Sequence, residues 1–192
     1  VEIWNDVFME YDKKSDNKYI PLKQKNVDTG MGIERTLSVL NKKDDNYLTD
    51  AFLPIISEIE NLSKKRYKGN EKSMRIIADH IRAAVFILGD EKKTLPSNVG
   101  QGYVIRRLIR RAIIHASLLG IKENFTLKLA RVIISMYKEE YPELKNHSET
   151  ILSNLESEES KFGKTLQGGF REFEKISKEK KMTGKNAFLL FQ

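Results

Sequence analysis

The spacing of the apolar residues changes once along this chain. The change falls at Asn26-Val27-Asp28-Thr29-Gly30-Met31-Gly32-Ile33-Glu34-Arg35. Before it, β-branched and aromatic side chains alternate with polar ones; after it, apolar residues recur every three or four positions. The stretch itself reads as a short buried strand that turns into a helix, with two glycines at the turn. Glycine there lets backbone approach something that a Cβ would hit. The fold class follows: α+β and predominantly α, a short antiparallel β segment and then a helical bundle. The pattern also fits a tight turn carrying a surface Glu34–Arg35 ion pair, and a guanidinium near a helix N-terminus equally suits a phosphate.

Residues 1–12 carry Ile3, Val7, Phe8, Met9 and Tyr11, and the apolar pattern resumes at Tyr19-Ile20-Pro21-Leu22 after a polar tip at 12–18. This is a hairpin signature. A lone hairpin is marginal in water, so it calls for a larger sheet than these residues supply. The chain opens inside this apparent strand and stops within the apolar run 187–191, so an internal piece of a longer protein is expected.

Helices are expected over 32–40, 47–65, 71–89, 103–113, 123–140 and 143–178. Gly163 and the pair Gly168-Gly169 predict a bend in the last; a charged linker follows at 178–184. The boundary between the two parts is placed at residue 45, giving 1–45 and 46–192. His80 stands among the apolar residues of 71–89 and reads as structural or solvent-facing; no second His or Cys is near enough in sequence to make a metal site.

Two properties of the 192 residues narrow the function classes. Net charge is +7, so a polyanion is the first partner to consider. Cysteine is absent, which excludes disulfides and thiolate metal sites within these residues and fits a reducing compartment, with the cytoplasm the expected location. No run of about eighteen apolar residues exists, so no membrane partner is expected.

The charge concentrates in one place. In Tyr103-Val104-Ile105-Arg106-Arg107-Leu108-Ile109-Arg110-Arg111-Ala112, four arginines fall within an arc of roughly 140°. Val104, Ile105, Leu108, Ile109 and Ala112 are expected opposite them, as the packing side. Such a stripe is either a solvated basic face or a surface for phosphates, which arginine's planar fork suits. Before it, residues 90–102 form a loop with Pro96, Ser97, Asn98, Gly100 and Gly102.

Four segments jointly resemble the alanyl-tRNA synthetases, a class II aminoacyl-tRNA synthetase family. They are Glu2-Ile3-Trp4-Asn5 with Val7-Phe8-Met9, the stretch 27–35, Ile77-Ala78-Asp79-His80-Ile81-Arg82, and Leu95-Pro96-Ser97-Asn98 through Arg111. The second is similar to the family's third class II signature. The resemblance implies a ligase that joins alanine to ATP, releases pyrophosphate and passes the alanyl group to its tRNA. It implies that residues 1–45 end a catalytic domain and that 46–192 form most of a domain reading the tRNA(Ala) acceptor stem. Arg35 corresponds to the arginine on ATP's terminal phosphates, a catalytic role because it neutralises the leaving pyrophosphate. Asp28 corresponds to the carboxylate holding alanine's ammonium, Asn5 to an amide on the amino acid, and Gly30 and Gly32 to bare backbone beneath the substrate. Glu2 corresponds to placement of ATP or its Mg²⁺. Asp28 and Arg35 are expected to open onto one hollow with Asn5.

The resemblance also implies that Asn98 helps read a G·U pair in the acceptor stem, while Arg106, Arg107, Arg110 and Arg111 contact its backbone. Read from the residues alone, Asp28 can be a helix-capping carboxylate, and Asn98 can cap a helix beside Ser97. Gln192 stands where the family has an aspartate after the run Ala187-Phe188-Leu189-Leu190-Phe191. The first two class II signatures are not found in these residues, so ATP, Mg²⁺ and alanine are expected as ligands of the full-length enzyme, none of the isolated chain. A non-catalytic tRNA-binding module is the alternative.

Overall fold

The computed structural model describes residues 2–92, 94–122, 124–178 and 183–191, excluding the side chains of 189–191. Gln192 and most of the linker 178–184 lie outside the described residues. The chain divides into two compact units, residues 1–53 and 54–192.

In the first unit, β1 (Trp4–Lys13) and β2 (Tyr19–Met31) pair as an antiparallel hairpin. Its turn is closed by Lys14 and Asn17, with Asn17 at φ 61°, a left-handed position asparagine tolerates. The register shifts between Met9 and Tyr11. The expected short buried strand is thus one 13-residue strand that is almost wholly exposed. Both faces of the hairpin leave apolar side chains exposed, Val7 on one and Trp4, Phe8 and Val27 on the other, as a sheet of only two strands buries little by itself.

β2 passes directly into α1 (Ile33–Leu40), whose N-cap is Gly32. A 3₁₀ turn follows at Asn46–Leu48, capped by the Asp45 carboxylate, which accepts from Tyr47 N–H. Ser38 donates to the Asn46 side chain at 2.6 Å and Thr49 to the Asn46 carbonyl at 2.6 Å. These bonds occupy residues where a helix from 47 is expected. Pro54 supplies the reason: α2 (Leu53–Ser63) starts one residue ahead of it, so the missing N–H falls in the first turn, where none is needed.

The second unit is helical. α3 (Glu71–Gly89) buries Met74, Ile77, Ile81, Val85 and Leu88 on one face. It packs on α4 (Gly100–Leu119), α5 (Phe125–Tyr137), α6 (Pro142–Asn146) and α7 (Ser148–Lys178). Ile105, Ile109, Leu129, Ile133, Ile151 and Leu155 complete the core. Phe86 of α3 meets Tyr137 and Tyr141 edge to face at 5.2 and 5.0 Å. Gly89 lets α6 approach closely, since a Cβ there would lie 2.6 Å from Leu144 Cδ2.

Three expectations are corrected in this unit. α4 begins at Gly100 rather than at 103. Helix continues through Gly163, Gly168 and Gly169 without an interruption in α7; glycine weakens a helix interior but does not break its hydrogen bonds. Val104 is 54% exposed rather than packed. By helical rotation it lies only about 20° from Arg111 and about 100° from Ile105. α8 (Gly184–Phe191) ends the described chain.

Candidate substrate and nucleic-acid sites

The hairpin register decides which side chains share a face. Asn5 pairs with Gly30 and Val7 with Asp28, while Trp4 pairs with Met31 and Asp6 with Thr29. Opposed residues lie on one side of a sheet and alternate residues on the other. Asn5, Gly30 and Asp28 therefore share a face, and Trp4, Asp6 and Met31 take the reverse. Asn5 and Asp28 stand at the diagonal spacing, about 7–8 Å. Between them, an added Cβ on Gly30 would meet nothing within 4 Å. An amide and a carboxylate thus flank an open patch of bare backbone.

Gly32 N–H donates to the Ile3 carbonyl at 3.1 Å, carrying the ladder one step further to the foot of α1. There Arg35 Nη1 donates to the Glu2 carbonyl at 3.0 Å, and Asn5 Nδ2 donates to Glu2 Oε1 at 3.3 Å. Arg35, Glu2 and Asn5 form one chain of hydrogen bonds. Gly32 does something other than expected: its missing Cβ makes room for Arg35's own stem, whose Cδ would lie 3.3 Å away. Glu2, Asn5, Asp28 and Arg35 are all exposed, so the arrangement is an open face, not the expected hollow. Asp28 does not cap α1, whose N-cap is Gly32. Among the described residues no group of three His, Asp or Glu side chains is placed to hold a metal ion. Glu2 alone does not make a Mg²⁺ site.

In the helical unit, the arginine stripe divides. Arg106 and Arg110 lean towards one flank of α4, Arg107 and Arg111 towards the other. Arg110 Nε donates to Glu158 Oε1 of α7 at 2.5 Å, and its guanidinium lies 4.9 Å from the Phe162 ring centre. Arg106 lies 6.0 Å from the Tyr103 ring centre. Arg107 and Arg111 are exposed and make no ion pair among the described residues. Two outward guanidinia, one stacked one and one structural one replace the uniform block.

Asn98 is exposed at the entrance to α4. It does not cap the helix: the N-cap is Val99, and no side chain caps it. Ser97 shapes the loop, donating from Oγ to the Val99 carbonyl at 2.7 Å. Its N–H donates to the Gly102 carbonyl at 3.1 Å. Gly102 makes this possible, since a Cβ there would lie 2.3 Å from the Leu95 carbonyl oxygen.

His80 Nδ1 bonds Asp79 Oδ2 at 3.0 Å, which holds the Asp79 carboxyl below the usual carboxylate range. Its Nε2 is buried with no hydrogen-bond partner. Two other features were not visible in sequence. Ser73 Oγ and His115 Nδ1 share a 3.1 Å hydrogen bond between α3 and α4. A groove of about 620 Å³ lies among the end of α4, the start of α5 and α7, walled by Ile113, Phe125, Gly163 and Phe170.

The family model described as tRNA synthetases class II (A) matches residues 1–192. The chain belongs to the class II (A) tRNA synthetases. An alanine–tRNA ligase of Treponema pallidum is 48% identical over the whole chain, and one of Borreliella afzelii 47% identical over 99% of it. One of Pediococcus pentosaceus is 44% identical over the whole chain. This synthetase chain spans 33% of the first two relatives and 22% of the third. Among its described residues no helix is long and apolar enough to cross a membrane.

Proposed function

We propose that this chain carries part of the machinery of an alanine–tRNA ligase. Residues 1–45 complete a catalytic domain, and residues 46–192 recognise the acceptor stem of tRNA(Ala). The observation that carries the reading is the shared face of Asn5, Gly30 and Asp28, open above the glycine. A small zwitterion suits it. The Asp28 carboxylate pairs with alanine's ammonium, the Asn5 amide hydrogen-bonds the same substrate, and Gly30 leaves room for its backbone. Alanine's carboxylate oxygen then attacks the α-phosphorus of ATP, and the bond to pyrophosphate breaks. Arg35, steadied by the Glu2 carbonyl, neutralises charge on the departing phosphates. Glu2 in turn orients Asn5. In the second step a terminal ribose hydroxyl of the tRNA attacks the alanyl carbonyl carbon, the acyl–phosphate bond breaks, and AMP leaves. Mg²⁺ accompanies ATP in the full-length enzyme.

On the RNA side, Asn98 offers a short amide free of capping duty, and Arg107 and Arg111 offer charge for the backbone. Arg106 adds a stacked guanidinium. Arg110's contribution is indirect, through Glu158.

Alanine-dependent ATP–pyrophosphate exchange by the full-length enzyme tests this reading. Asp28→Ala is expected to raise the KM for alanine by about a hundredfold, the cost of an unpaired ammonium, and Asn5→Ala by about tenfold. The isolated chain is expected to show no exchange, having a single phosphate arginine. An unchanged KM in both variants would remove the amino-acid site. Should RNA binding persist in that case, a non-catalytic tRNA-binding module is the better description, with Arg107 and Arg111 supplying its backbone contacts.

A further inference from the structure

The basic surface of α4 does not stop at its arginines. Arg107, Arg111 and His115 follow one another at four-residue steps, each turned by about 40° towards α3. The last meets Ser73 in the first turn of α3, Oγ to Nδ1, at 3.1 Å. Lys72 is next to Ser73 and exposed, and neither Lys72 nor Arg111 has an ion pair among the described residues. The N-terminus of α3 has no side-chain cap, so its first-turn N–H groups add positive potential at the same spot. Two acids of α3 are engaged: Glu71 accepts from Gly69 N–H, and Asp79 is bonded to His80.

We infer that Ser73 and His115, flanked by Lys72 and Arg111, form a phosphodiester-binding site that takes up a proton when RNA binds. The inference rests on the RNA-binding reading above and extends the contact track past the arginines to α3. The chemistry is local. A neutral His115 accepts from Ser73, using up the hydroxyl's hydrogen. Once protonated, Nδ1–H donates to Ser73 Oγ, which frees the serine O–H and leaves Nε2–H as a second donor. Both donors, with the Lys72 ammonium and the Arg111 guanidinium, match the oxygens of one phosphate. Without an anion the site favours the neutral ring: burial first, then the charges of Arg111, Lys72 and His80, lower its pKa. A bound phosphodiester reverses that electrostatic balance. On α3 the facing groups are Lys72 and His80; on α4 the facing group is Arg111.

The test measures binding of an acceptor-stem RNA duplex by fluorescence anisotropy at low salt from pH 8 to pH 5.5. Wild type, His115→Gln, Ser73→Ala and Lys72→Gln are compared, each with a circular dichroism check of the fold. Wild-type affinity should rise by about fivefold or more on acidification, a proton-linked gain that His115→Gln abolishes. Lys72→Gln should lower the salt slope by about one phosphate contact. The His115 ring proton followed by NMR should show a raised pKa with RNA. Parallel pH profiles for wild type and His115→Gln would overturn the inference and leave the RNA reading intact. Absence of RNA binding by any form at pH 8 would overturn both. A pKa raised by millimolar inorganic phosphate but not by RNA would make this a free-anion site and overturn the RNA track.

Discussion

Arg110 and Glu158 join α4 to α7 through a 2.5 Å contact from Nε to Oε1, although Arg110 stands in a row of arginines whose neighbours face solvent. Glu158 is a nearly buried acid, and Phe162 lies beneath the same guanidinium. Removing the arginine leaves a carboxylate with no partner in a dry place. Arg110→Ala should therefore cost about 2 kcal/mol of stability by urea unfolding, and its RNA affinity at constant fold should change less than that of Arg107→Ala or Arg111→Ala. Equal losses of affinity in all three would restore the uniform stripe.

Glu159, the next residue, caps a helix it does not belong to. Its carboxylate accepts from Phe125 N–H at 3.2 Å, from Thr126 N–H at 3.1 Å and from the Thr126 hydroxyl. Asn124, the local N-cap, is left-handed and provides no side-chain bond. A negative group is well placed there because the helix dipole and two orphan donors both point at it. Glu159→Ala should cost about 2 kcal/mol by thermal or urea unfolding, because three donors lose their acceptor. Hydrogen exchange in the first turn of α5 should rise more than in α3.

These two contacts also mark where sequence reading runs out. Apolar spacing encodes which face of a helix is buried, and so α3, α5 and the change from strand to helix at 26–35 were legible. It does not encode which helix will meet that face. Glu158 and Arg110 are 48 residues apart, and Ser73 and His115 are 42 apart; nothing local links them. Val104 is exposed because its neighbour around the helix is Arg111, about 20° away, so the arginine face extends to it. The pairing of Asn5, Gly30 and Asp28 depends on register, which alternation suggests but the turn and the shift after Met9 determine.

Gly102 is a backbone requirement with a consequence for Asn98. An alanine Cβ would fall 2.3 Å from the Leu95 carbonyl oxygen and 2.9 Å from Ser97 N, and neither can rotate away. Loop 95–99 must move off the helix. Gly102→Ala should lower stability by about 1–3 kcal/mol. On the proposed reading of Asn98 as a contact to the acceptor stem, it should also weaken discrimination between stems with and without a G·U pair, even though residue 102 carries no functional group. Unaltered discrimination with reduced stability would separate the loop's position from RNA reading.

Stability itself should depend on pH through His115. Burial, aided by nearby positive charge, holds this imidazole below the ordinary 6.5, so the unfolded chain takes up its proton first as pH falls. Where the unfolded state binds more protons, stability rises with pH. The neutral ring thus contributes its full stabilisation above pH 6.5 and loses it progressively below. Asp79 behaves in the opposite sense and elsewhere: His80 lowers its pKa from 3.8, so its contribution persists above that value and is lost in stronger acid. Comparing urea unfolding at pH 7.5 and 5.5 leaves Asp79 out, because it stays ionised throughout, and the His115→Gln variant separates His115 from His80 and His147. Wild type should be less stable at pH 5.5, and His115→Gln should narrow the difference. Added RNA duplex should narrow it too in wild type, by stabilising the protonated ring in the folded state; an equal pH dependence in both proteins would assign the effect to another group.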